Sequence, residues 1–227
     1  MNFGEKAIIF YKKLEPPDIQ ISDGIEILNP LEEEKVMKIL AAFYTKFYND
    51  NDKRIFLIGI NPGRLGGGIT GIPFTDPVNL QNVLGIQNDF DKKQELSSRF
   101  VYEMIEAMGG PEKFFNNFYL TAVSPLGFVR NNKNLNYYDV KLILENWELW
   151  FIERLKEQIQ FGARKDIAFS LGRGKNLSFL LKLNKEHHLF QKIEPLPHPR
   201  WVMQYQYKKR DDFSKIYIKR LNSFIFS

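Results

Sequence analysis

Two short stretches of this chain carry side chains suited to chemistry. The first is Gly59-Ile60-Asn61-Pro62-Gly63-Arg64-Leu65-Gly66-Gly67-Gly68-Ile69-Thr70-Gly71-Ile72-Pro73-Phe74. Its glycines permit positive φ and close approach to the main chain, so several N–H groups could converge on a planar or anionic ligand. A flexible turn is the plainer alternative, and the Gly-Lys-Ser/Thr ending of a P-loop is missing. The second stretch is Pro195-Leu196-Pro197-His198-Pro199-Arg200-Trp201, where prolines on both sides of His198 fix its backbone and suit holding an imidazole in one place. A structural histidine is the alternative there. The Asn61 amide has no acid–base capacity near neutral pH and can only orient water through its oxygen. An imidazole can donate to charge that develops on a leaving group.

Composition narrows the chemistry further. The 227 residues include no cysteine, which excludes disulfides, thiolate metal sites, iron–sulfur clusters and a cysteine nucleophile. Three histidines leave little material for a histidine metal site, and His187 and His188, on a polar Lys-Glu-His-His stretch, read as surface residues. Asp76, Asp89 and Asp91 do not form a recognisable metal-binding carboxylate cluster. The expectation is therefore a site without metal or cofactor, run by oxygen, amide and imidazole groups.

These loops must be held by regular elements. Residues 54–60 read as a fully buried strand, and residues 117–123, 166–171 and 189–195 as three more. Helices are expected over residues 31–48, 79–84, 94–108, 138–160, 174–183 and 212–224. Alternation of strand and helix predicts an α/β fold, a three-layer α/β/α sandwich around a central, mostly parallel four-stranded sheet. Ligands bind at the carboxyl ends of strands in such sheets, so function should sit in the loops after Ile60, Val123, Leu171 and Pro195. No linker or repeat marks a seam, so residues 1–227 are expected to form a single domain. A five-residue apolar stretch near the N-terminus is too short for a signal peptide, and no run is long enough to span a membrane, so a cytoplasmic protein with no membrane partner is expected.

Charge points to a partner. The formal charge is +5, and residues 198–227 hold seven Lys/Arg against Asp211 and Asp212, so the whole surplus lies there. Localised positive charge suggests a polyanion such as nucleic acid, with a solvated basic helix as the alternative. In Arg200-Trp201-Val202-Met203-Gln204-Tyr205-Gln206-Tyr207-Lys208-Lys209-Arg210 the cations alternate with aromatic side chains, the mixture that stacks on bases and neutralises phosphates.

The segment 59–74 resembles motif 1 of the uracil-DNA glycosylase superfamily, in particular its single-strand-selective monofunctional branch, with Gly-Ile-Asn-Pro-Gly followed by Thr70-Gly71-Ile72-Pro73-Phe74. The opening is also similar to the mismatch-specific glycosylases. Leu196-Pro197-His198-Pro199 resembles motif 2, and the histidine places the chain with the first branch. Pro199-Arg200 and Ile218-Lys219-Arg220-Leu221-Asn222 look like the Pro-Arg and the terminal helix of that branch.

The resemblance implies a DNA repair enzyme that hydrolyses the N-glycosidic bond of uracil, and of other deaminated bases, after the base leaves the helix. It implies Asn61 and His198 as catalytic residues, Asn61 orienting water and His198 donating to the departing base. Phe74 would stack on the base, and N–H groups from Gly63 to Gly68 would bond it. The branch reads the base with an asparagine where this chain has Ala122, which leaves Ser124 or the backbone of 122–124 for that task. Arg64, Arg200, Trp201, Lys208, Lys209 and Arg210 would contact single-stranded or duplex DNA, the protein acting as a monomer. A non-catalytic nucleic-acid binding module would need neither Asn61 nor His198, and a nucleotide or phosphate-ester hydrolase would use the glycine loop as an anion cradle.

Overall fold

The computed structural model describes residues 1–18, 21 and 24–225. Among them the strands are β1 (Ile25–Leu28), β2 (Arg54–Gly59), β3 (Phe118–Ala122), β4 (Gly127–Arg130), β5 (Lys133–Leu135), β6 (Ala163–Leu171) and β7 (Lys192–Leu196). The helices are α1 (Phe3–Lys12), α2 (Glu34–Phe47), α3 (Gly67–Thr70), α4 (Pro77–Asn82), α5 (Leu96–Ala107), α6 (Pro111–Phe115), α7 (Lys141–Ile159), α8 (Lys175–His187), α9 (Pro199–Tyr205) and α10 (Arg210–Asn222).

β2 and β3 are buried along their whole length, which is why they read as continuous apolar runs rather than as alternation. They lie in a four-stranded sheet of order β3-β2-β6-β7 in which every neighbouring pair is parallel. Helices cover it as the expected three-layer sandwich, with α1 against α2 and α7, and α5 against α9 and α10. β2 and β6 stand in the middle and β7 at the edge, so the carboxyl ends of all four deliver Ile60, Val123, Gly172 and Pro197 to one rim.

A second, antiparallel sheet joins β1, β4 and β5, pairing Ile25 with Arg130 and Arg130 with Lys133. It was not expected from the sequence. Its strands are three or four residues long and only partly buried in β1 and β5, so they carry no period that separates them from loop. It matters because β5 leads directly into the backbone that holds Asn61.

At the far end of the central sheet the first residue of β2, Arg54, is fully buried. Its guanidinium donates to both carboxylate oxygens of Asp50, at 2.6 and 2.7 Å, and to the carbonyls of Phe115 and Asp52. The four bonds satisfy a charge that would otherwise be costly to bury. They also anchor β2 away from the rim where its last residues face the site. No helix among the described residues is long and apolar enough to cross a membrane.

Candidate active site

The rim carries a cavity lined by Ile60, Asn61, Pro62, Gly63, Gly67, Pro73, Phe74, Glu95, Ser97, Ala122 and His198. Both sequence motifs therefore meet in one hollow. His198 is the N-cap of α9, with Pro199 at the first helical position, a placement that suits the ring's fixed φ. Its Nδ1 accepts a hydrogen bond from the backbone N–H of Arg200 at 3.2 Å. An accepting Nδ1 carries no proton, so in the neutral ring the proton is on Nε2. Burial, aided by the Arg200 charge, pushes the imidazole pKa down to about 4, so the ring is neutral at physiological pH.

Phe74 faces His198 with ring centroids 6.2 Å apart. It is held in the left-handed region, φ 57°, which is unusual for an aromatic residue and needs support from its surroundings. The support is a turn closed by side chains: Thr70 Oγ1 donates to the Thr75 carbonyl at 2.7 Å, and the Thr75 hydroxyl meets that of Tyr102 at 2.8 Å. The ring then lies against Gly59, where an added Cβ would stand 2.5 Å from Cζ of Phe74. That glycine ends β2 because a side chain there would displace the ring.

The profile of the Uracil DNA glycosylase superfamily matches residues 45–222. The chain belongs to that superfamily. It is therefore a DNA glycosylase, a hydrolase of N-glycosyl bonds. The crystal structure of wild-type Pedobacter heparinus SMUG2 is similar to it over 100% of both chains, with 41% identity and a TM-score of 0.96. No curated protein sequence matches the chain.

Several expected site residues of this glycosylase sit differently from their sequence reading. Asn61 lines the cavity, but its amide is already engaged: Nδ2 donates to the carbonyls of Leu135 at 3.0 Å and Pro62 at 3.3 Å, and Oδ1 accepts from the Tyr137 N–H at 3.0 Å. Oδ1 keeps one lone pair for a water. Gly68 does not line the cavity; its N–H and that of Gly66 both donate to the Gly63 carbonyl, at 2.9 and 3.1 Å. The loop turns on itself, and a Cβ at Gly68 would meet that same carbonyl at 2.7 Å. Ser124 is buried away from the hollow, its hydroxyl donating to the Leu126 carbonyl at 2.7 Å. Ala122, rather than Ser124, lines the hollow.

Arg64 and Arg200 are exposed and flank a neighbouring cleft together with Gln94, Glu95, Lys133 and Asn134. Trp201 is 42% exposed while its ring meets Phe213 of α10 edge-on at 5.7 Å, so the helix anchor and the free aromatic face coexist in one residue. Lys208 and Lys209 are exposed. Arg210 is partly committed, stacked over Tyr207 at 4.6 Å and paired with Asp211 at 3.4 Å. Arg220, from the terminal-helix resemblance, pairs with Glu194 on β7.

Sequence reading missed Glu95 and Ser97, which enter the cavity from the start of α5. Neither belongs to a motif, and the only signal was their place at the beginning of an expected helix. Among the described residues no group of three His, Asp or Glu side chains is placed to hold a metal ion.

Proposed function

We propose that this protein releases uracil from DNA as a monofunctional, metal-independent glycosylase, working as a single-domain monomer on a base extruded from single-stranded or duplex DNA. The observation that carries this reading is the neutral imidazole of His198, fixed as an Nε2–H donor in the same cavity as Phe74 and Asn61. Breaking the bond between sugar and base passes through an oxocarbenium-like sugar, while negative charge gathers on the oxygens of the leaving base. A donor already oriented in a desolvated hollow stabilises that charge with little reorganisation. Phe74, on its propped turn, offers a stacking face for the extruded ring.

Asn61 accounts for the other product of the cleavage. With Oδ1 held by Tyr137, its second lone pair accepts from a water and directs that water at the sugar. The exposed face of Trp201 and the cations Arg64, Arg200, Lys208, Lys209 and Arg210 supply stacking and phosphate contacts outside the pocket. Among the described residues no lysine lines the cavity, which fits hydrolysis rather than attack by an amine.

The test is release of uracil from single-stranded and duplex oligonucleotides, measured in single turnover with and without EDTA. Release that persists in EDTA is expected. Asn61→Ala and His198→Ala should each slow the chemical step about a hundredfold or more with DNA binding nearly unchanged. A folded wild-type protein that releases no uracil overturns the proposal, and full activity in His198→Ala overturns the role of the imidazole.

A further inference from the structure

The cavity has four polar side chains in its lining: Asn61, Glu95, Ser97 and His198. The Asn61 amide is bonded at both ends to the backbone of 62, 135 and 137. In the proposed reaction His198 is used on the base oxygen beside the glycosidic bond. Ala122 offers no polar atom. What remains for the far edge of an extruded base is the Glu95 carboxyl, with Ser97 also in the lining.

The chain makes room for that carboxyl. A Cβ built on Gly63 would stand 2.4 Å from Oε1 of Glu95, and one on Gly66 would stand 2.1 Å from Oε2, so two glycines of the loop are what let it enter. The Glu95 backbone is tethered, its N–H donating to Asp76 Oδ2 at 2.9 Å, while Asp76 itself is fully buried and caps α4 through Asn79. The carboxyl forms no hydrogen bond or ion pair with any described residue. It is half-buried, unpartnered among the described residues, and lies between the cavity and the neighbouring cleft.

The geometry points to Glu95 as a base-binding residue that, in its neutral form, hydrogen-bonds the lactam edge of the extruded base, its O–H to the ring carbonyl and its carbonyl oxygen to the adjacent ring N–H. This rests on the glycosylase reading above. A neutral carboxyl has one donor and one acceptor side by side, the complement of the HN–C=O edge that deamination creates. Burial first, and the Asp76 charge second, push the Glu95 pKa up to about 7 against the opposing effect of Arg200. The other charged or titratable groups around it are Arg64 and Lys133 across the cleft and His198 across the cavity, and His198 is already neutral. Ionised Glu95 would instead place a negative charge beside a leaving base that is becoming an anion, so cleavage should slow as pH rises through neutrality.

Two measurements test this on the full-length protein. In single-turnover release of uracil from a single-stranded oligonucleotide between pH 5.5 and 9, the wild-type rate should fall at alkaline pH. Glu95→Gln, which keeps a donor and an acceptor but cannot ionise, should flatten the profile and stay within a few-fold of the wild-type maximum. Glu95→Ala should lose roughly tenfold to a hundredfold at the same maximum. Binding of an oligonucleotide carrying 2′-fluoro-deoxyuridine, whose glycosidic bond resists cleavage, should exceed binding of the same strand with the N3-methylated analogue, which lacks the ring N–H, in that place, and Glu95→Ala should abolish the preference.

A rate in Glu95→Ala equal to wild type at every pH overturns the proposal. So does a wild-type rate that rises with pH and loses that rise in Glu95→Gln, since Glu95 would then be a base acting on water. Wild-type protein that prefers the fluorinated uridine through Glu95 but cleaves nothing would remove the hydrolytic reading and leave the base contact standing; absence of any preference in wild type removes the contact itself.

Discussion

His198 and Glu95 face one cavity, and burial shifts both toward the uncharged form, the imidazole pKa falling to about 4 and the carboxyl pKa rising to about 7. Each shift has a stability cost with its own pH window. His198 has a folded pKa of about 4 against the ordinary 6.5, so the folded state binds its proton less readily and stability is lost as pH falls from 6.5 toward 4. Glu95 has a folded pKa of about 7 against 4.5, so the folded state binds its proton more readily and stability is lost as pH rises from 4.5 toward 7. Each effect amounts to up to about 3 kcal/mol. Urea unfolding across pH 4 to 8 should show the alkaline loss removed in Glu95→Gln and the acid loss removed in His198→Ala. Unchanged slopes in both variants would mean that neither group is desolvated. At this scale Asn61, Gly63, Phe74 and His198 were legible because motif spacing carries them. Glu95 was not, since it reaches the pocket from a helix start about twenty residues beyond the loop's last residue, Phe74, through glycines whose purpose emerges only in three dimensions.

Among elements, the turn that carries Phe74 shows how a strand end and a loop specify one another. Gly59→Ala would place a methyl group 2.5 Å from the ring and 3.3 Å from the Thr121 carbonyl. The ring is the softer neighbour and should move. The expected result is about 1–3 kcal/mol of destabilisation from overpacking and a drop of tenfold or more in uracil release, compared by thermal melting and single-turnover kinetics. Activity at the wild-type level would show that Phe74 does not stack on the substrate. β2 and β3 were readable because full burial leaves mostly apolar runs at residues 55–59 and 118–122. α1 went unread although its capping box, Asn2 with Glu5, is present in the sequence, because a five-residue apolar stretch is too short to display a helical period. α9 went unread because the prolines around His198 suggest a fixed loop, whereas Pro199 begins a helix that the imidazole itself caps.

For the whole molecule, the charge surplus in residues 198–227 lies partly on the near side of the site, at Arg200, and partly along the turn and helix start at residues 207–210. Replacing Lys208, Lys209 and Arg210 with neutral residues should weaken binding to every DNA sequence alike. It should also flatten the log–log salt dependence by somewhat under one unit for each phosphate no longer neutralised, while leaving cleavage of bound substrate intact. Because Arg210 is shared with Asp211 and Tyr207, its replacement should change the slope less than either lysine. Equal slopes for wild type and the triple variant would place DNA elsewhere on the surface.

The clasp between Asn61 and Tyr137 makes the site a timepiece for its own opening. The Tyr137 amide proton points at Asn61 Oδ1, so it can trade with solvent deuterium only when the asparagine lets go. Its exchange rate therefore counts excursions of the loop after β2, unmixed with unfolding of the sheet beneath. Asn61→Ala should speed exchange at Tyr137 at least tenfold while amides of β2 and β3 keep their protection. Tyr137 protected equally in both proteins would mean that the segment after β5 is held by something other than Asn61.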